Sequence, residues 1–117
     1  MSDSNDTAYR LGDALTLLLK HKPFIDVSLP PSSNEYRDAN SVTFAIYGTD
    51  KDEHLVFSDK MKRVPNRTGW YFYRYQTNRS MKPGLYTVIY TTVTRIDGEE
   101  LTSRSVQQIR LMNDGLV

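Results

Sequence analysis

The spacing of apolar positions along this chain changes once, near residue 23. Before it, Ala8, Leu11, Ala14, Leu15 and Leu18 recur every three or four residues, the spacing of one face of a helix. Asp6 or Thr7 can cap its start. Lys20, His21 and Lys22 put positive charge where a helix C-terminus favours it, and Pro23 stops it. Gly12 weakens such a helix by about 1 kcal/mol relative to alanine. The pattern predicts a short N-terminal helix over 7–21.

Beyond Pro23 the period is two. "FIDVSL" (24–29) alternates at Ile25, Val27 and Leu29, and Pro30-Pro31 ends it. "VTFAIYG" (42–48) alternates at Val42, Phe44 and Ile46; "HLVFS" (54–58) follows the turn "TDKDE". The aromatic run 70–77 follows the loop "KRVPNRT" and Gly69. "LYTVIYTTVT" (85–94) is rich in Thr, Val, Tyr and Ile, the residues that suit a pleated surface. Asp97-Gly98 is a hairpin dipeptide, and "LTSRSVQQIRLM" (101–112) completes the series. Short strands separated by turn signals, with one helix outside them, predict a mainly β protein: an antiparallel sandwich rather than βαβ units. The domain then reads as an N-terminal tail and helix (1–22), a sandwich (23–112) and a loose tail (113–117).

The stretch "GWYFYRYQT" (69–77) holds five aromatics, Trp70, Tyr71, Phe72, Tyr73 and Tyr75. One register turns the tyrosines inward and Trp70, Phe72 and Arg74 outward. The other buries Trp70 and Phe72, which have the fewest polar atoms to satisfy. A slip of one residue exchanges the two faces. Whichever set points outward can be covered by the helix stripe of Leu11, Leu15 and Leu18, can contact another protein, since aromatics and Arg are enriched at such contacts, or can stack on sugar rings.

The chain has 117 residues, enough for one domain that buries roughly two thirds of its unfolded surface. It has no cysteine, which excludes disulfides and thiolate metal sites. The net charge is +1 with both signs interspersed, against the basic stripe of an electrostatic nucleic-acid binder. "KMKR" (60–63) and "RYQTNR" (74–79) lie beside aromatics, a combination found in single-strand binders, but acids balance them and no nucleic-acid partner is expected. The acidic start, the apolar run Leu15–Leu19 broken by Thr16 and the lack of a small-residue cleavage site argue against a signal peptide. No run approaches the 18–20 apolar residues that span a bilayer.

Candidate chemistry is sparse. His21, between two lysines, reads as a helix-terminal cation. "TDKDE" lacks the spacing and the terminal Glu of a calcium loop. No Ser lies in G-x-S-x-G. Glu99-Glu100 flank a hairpin turn, with nothing to place them across one cleft as a glycosidase pair requires. No phosphate-binding glycine loop is present. The sequence predicts no enzyme and no cofactor.

The series "VTFAIYGTDKD", "GWYFYRYQT", "MKPGLYTVIYTTV" and "DGEE…SRSVQQIRL" resembles an immunoglobulin-like domain without disulfides, over about 24–112. "KPGLYTV" resembles the turn and corner tyrosine of those folds. The resemblance implies that Gly84 lies in the turn, that Tyr86 enters the strand as the corner tyrosine with its hydroxyl bonded to nearby backbone, and that Val88 stands where antibody domains carry a Cys. The chain is similar to small β-sandwich proteins encoded among siphophage tail and baseplate genes, and in fold to a domain of lactococcal phage receptor-binding proteins. It lacks the collagen-like or β-helical neck of a full receptor-binding protein. The resemblance implies a non-enzymatic structural protein, made in a host cytoplasm and carried in or associated with a virion. Its partners would be other phage structural proteins, copies of itself or, as the alternative function, a host-surface carbohydrate. The expected contact residues are Trp70, Phe72 and Arg74, with Leu11, Leu15 and Leu18 as their cover or a second contact.

Overall fold

Residues 8–22, 28, 30, 36–48 and 54–113 are described by a computed structural model of the chain. They form eight strands: β1 (Ala8–Arg10), β2 (Ala14–Lys20), β3 (Ser41–Tyr47), β4 (Leu55–Lys60), β5 (Lys62–Arg63), β6 (Trp70–Gln76), β7 (Gly84–Ile96) and β8 (Glu99–Met112). Five strands make one sheet in the order β1-β8-β7-β3-β4, and three make a second in the order β2-β6-β5. The protein is mainly β, in two sheets.

The strong alternation of β7 explains its central place. Tyr86, Val88, Tyr90, Thr92 and Thr94 are buried, and the residues between them half-buried. β7 pairs with β3 on one side and along its whole length with β8 on the other. The β7–β8 turn is Asp97-Gly98, with φ of +52° and +80°, the backbone that a two-residue hairpin of matching twist requires. The core lies between the sheets. Val42, Phe44, Ile46, Val88 and Ile109 enter it from the larger sheet, Leu15, Leu17, Tyr71 and Tyr75 from the smaller. Phe44 and Tyr73 meet across the gap with ring centroids 4.7 Å apart.

The N-terminal helix expected over 7–21 is absent; residues 8–20 are strands β1 and β2 joined by a turn. Leu15, Leu17 and Leu19 also have period two, and β6 offers an edge that they satisfy: β2 pairs antiparallel with it over seven residues. The turn is fixed by Thr77, whose hydroxyl accepts from the Gly12 amide at 2.8 Å and donates to the Asp13 carbonyl at 2.7 Å. A ladder plus a shared core outweighs a modest helix propensity. Residues 8–10 and 14–20 therefore belong to the two sheets. Leu11 and Leu15, expected on a helix stripe as the cover of the outward aromatics or a second contact, are core residues between the sheets. The strand expected over 24–29 and the turn 49–53 lie outside the described residues, Ser28 excepted.

The aromatic strand takes the register with the tyrosines inward. Its partner decides this. Leu15, Leu17 and Leu19 lie opposite Tyr75, Tyr73 and Tyr71, while Thr16, Leu18 and Lys20 lie opposite Arg74, Phe72 and Trp70. The inverse register would turn Lys20 and Arg74 into the core, and an unpaired buried cation is prohibitive. The phenols meet polar partners at the rim: Tyr71 accepts from the Ala39 amide at 2.9 Å, and Tyr73 donates to Asp59 Oδ2 at 2.8 Å.

Candidate functional site

The outer face of the three-stranded sheet collects four of the six contact residues expected from the sequence. Trp70, Phe72 and Arg74 alternate outward along β6, and Leu18 stands opposite Phe72 on β2. Leu11 and Leu15 lie on the other side of the sheet, in the core. Leu18 is exposed, Trp70 and Phe72 half-buried.

Cations surround these rings. Lys20 Nζ lies 4.4 Å from the centroid of the Trp70 ring, and the Arg67 guanidinium carbon 4.9 Å. Arg74 lies 5.3 Å from the centroid of Phe72. Lys62, on β5, is the cross-strand partner of Phe72. Tyr36 meets Trp70 edge-on with centroids 6.4 Å apart. The quadrupole of each ring draws the positive charge, with Trp the strongest acceptor. The outward positions of the sheet, Ala14, Thr16, Leu18, Lys20, Lys62, Trp70, Phe72, Arg74 and Gln76, include no Asp or Glu. Among the described residues, Lys20, Lys62, Arg67 and Arg74 form no ion pair.

The rim is built on one short segment, residues 36–40. Asp38 accepts from the Gly69 amide at 2.7 Å and from Arg63 Nε at 3.0 Å. The Gly69 hydrogen bond first, and Arg63 second, hold its carboxyl below the usual carboxylate range. His21 is buried; its Nδ1 lies 2.9 Å from the Arg37 carbonyl, and its backbone amide donates to the Gly69 carbonyl at 2.7 Å. This holds the Gly69 turn, and so Trp70, against the end of β2. His21 is thus a buried tie at the end of a strand, where the sequence pattern predicts a helix terminus.

Two other features stand apart. Tyr86 donates from its hydroxyl to the Lys82 carbonyl at 2.6 Å, just before Gly84 opens β7. On the far side of the molecule, the outer face of the larger sheet carries a groove of about 470 Å³ lined by Thr43, Ala45, Tyr47, Ile89, Thr91 and Arg104. Among the described residues, no three His, Cys, Asp or Glu side chains gather as metal ligands, and no helix is long and apolar enough to cross a membrane.

Sequence reasoning reached the rings but missed Lys20 and Arg67 as members of the site. Lys20 shares its parity with Leu18, a signal readable only once 14–20 is taken as a strand. The chain matches no protein-family model, no curated protein and no solved structure.

Proposed function

We propose that this is a non-enzymatic interaction protein of immunoglobulin-like architecture, whose contact surface is the outer face of the three-stranded sheet. The architecture is supported by strand order. A five-stranded sheet holding the β7–β8 hairpin and β3, a parallel β1 on its edge and a three-stranded partner sheet correspond to the division of strands in a variable-type immunoglobulin sandwich. The Tyr86 bond to backbone four residues upstream fits the tyrosine corner of that fold. The resemblance to small sandwich proteins of tailed phages supplies a setting for such a protein, the assembly of a tail or baseplate.

The observation that carries the contact surface is the convergence of Trp70, Phe72, Leu18 and a set of unpaired cations on one sheet face. Aromatics and Arg dominate contact energetics. A platform for neutral sugars would set free Asp, Asn or Gln beside its rings; here the neighbours are Lys20, Lys62, Arg67 and Arg74, with Gln76 farther along β6 and Asp38 at the rim already bound to Gly69 and Arg63. The test is light scattering with circular dichroism on the intact chain and a Trp70→Ala/Phe72→Ala variant. Both fold, because the two rings lie outside the core. A drop from oligomer to monomer identifies a second copy as the partner, and equal monomeric masses leave the face to a foreign one. A variant that cannot fold overturns the reading.

A further inference from the structure

We infer that the outer face of the three-stranded sheet binds single-stranded nucleic acid; this rests on the reading of that face as the contact surface. The charge balance of the chain argues against such a partner, but the fold sorts the charges. Lys20, Lys62, Arg67 and Arg74 come to one face with no acid among its outward positions. Described acids stand off these positions: Asp97, Glu99 and Glu100 at the β7–β8 turn, Asp13 in the turn before β2, Asp59 on β4 bonded to Tyr73, and Asp38 at the rim, already bound to Arg63 and Gly69.

The layout of the face selects among polyanions. Outward residues follow one another every second position along β6, about 6.8 Å apart at strand rise. Three of the four outward rows carry a cation: Lys20 with Trp70, Lys62 with Phe72, and Arg74 opposite Thr16; the fourth pairs Ala14 with Gln76. Two of those rows also carry a ring. Rings interleaved with cations on an open sheet are the means by which single strands are held, bases on the rings and phosphates on the charges. A duplex hides its bases from such a face. A lipid surface calls for apolar side chains that stand out from the protein, whereas Trp70 and Phe72 are half-buried and flanked by Lys20, Arg67 and Arg74. Arg guanidinium planes are themselves stacking partners for bases.

Trp70 is the only tryptophan in the chain, so its emission reports on this face alone. The experiment titrates the full chain at low salt with an oligothymidylate of about twelve nucleotides, within the range one small domain covers. Inorganic polyphosphate of matched charge and anionic phosphatidylserine vesicles run in parallel. The expected result is saturable quenching by the oligonucleotide, with log K falling against log salt at a slope of roughly −3, about 0.7 for each of four phosphate contacts. Arg74→Gln and Lys62→Gln each flatten that slope by about 0.7. Phe72→Leu keeps the slope and the packing on Leu18 but weakens binding about tenfold, through the lost stacking face. Thermal melting checks that each variant folds. No quenching, equal affinity for polyphosphate, or a response to vesicles alone overturns the inference. If the mass of the Trp70→Ala/Phe72→Ala variant still falls to monomer, the contact face survives that failure. Oligonucleotide binding that ignores all three variants places it on another surface and overturns the inference, leaving the contact face to the mass measurement.

Discussion

Gly69 is the position where a single methyl group does most damage. Three segments meet there: the end of β2 at His21, the segment 36–40, and the turn into β6. The Gly69 amide donates to Asp38 and its carbonyl accepts from His21. Its φ is +79°, and a Cβ would lie 2.8 Å from the Arg37 nitrogen, 2.9 Å from the Arg37 oxygen and 2.9 Å from the His21 oxygen. All three are backbone atoms that a rotamer change cannot move. Left-handed backbone costs an L-residue about 1–2 kcal/mol, and forced overpacking adds about 1–3 kcal/mol. Gly69→Ala is expected to lose about 2–5 kcal/mol. Gly98→Ala is the matched control: φ is +80°, but nothing lies within 4 Å of the new Cβ, so only the first cost of about 1–2 kcal/mol applies. At about 4 °C per kcal/mol for a chain of this size, Gly98→Ala lowers Tm by about 4–8 °C and Gly69→Ala by about 8–20 °C. Paired thermal and urea melts measure both. Equal losses at the two glycines would refute the crowding and leave only backbone handedness.

Two further outcomes follow from burial. Leu15 is 5% exposed and Leu18 45%, so Leu15→Ala costs about 2–5 kcal/mol and Leu18→Ala less than about 1 kcal/mol; urea melts that rank them in reverse would mean the outer face is covered and the inner one open. Tyr90 donates to Gln107 Oε1 at 2.7 Å, and burial, with a smaller contribution from Tyr9, pushes its phenol up to about 12. The fold therefore disfavours phenolate relative to an unfolded tyrosine at about 10. That stability is fully present below about pH 10 and is lost as pH rises toward about 12, so Tyr90→Phe should raise the alkaline unfolding midpoint, read by phenolate absorbance and circular dichroism; an unchanged midpoint counts against Tyr90 as the group responsible.

Much of the β architecture is legible in the residues. The alternation of Val42, Phe44 and Ile46 marks β3, the Thr- and Val-rich run 85–94 lies inside β7, and Asp97-Gly98 turns the hairpin. β5 is not legible: Lys62 and Arg63 are strand only because they pair with Phe72 and Tyr71. The helix over 7–21 failed because two periods overlap there. Leu11, Ala14, Leu15 and Leu18 fit 3.6, Leu15, Leu17 and Leu19 fit 2, and only the presence of β6 chooses between them. The register of β6 was readable by parity. Trp70 and Phe72 share theirs with Arg74 and Gln76, so burying the first pair buries the second, whereas Tyr71, Tyr73, Tyr75 and Thr77 bury nothing charged. The basic character of the outer face was not readable, because Lys20 is far in sequence from Lys62, Arg67 and Arg74 and joins them only through the pairing of β2 with β6.

The pairing of β1 with β8 is short, three residues against three, but it is parallel: Ala8 faces Arg110, Tyr9 faces Leu111 and Arg10 faces Met112. In a parallel pair, the chain entering the first strand and the chain leaving the second emerge at opposite ends of the ladder. Tension drawn between residues 8 and 112 therefore slides the two strands along each other and loads every rung at once, where an antiparallel hairpin pulled at its open end would give way one rung at a time. Small as it is, this ladder is a mechanical clasp: for a pull along the chain, the resistance lies in β1 and the end of β8 rather than in the larger hairpin behind them.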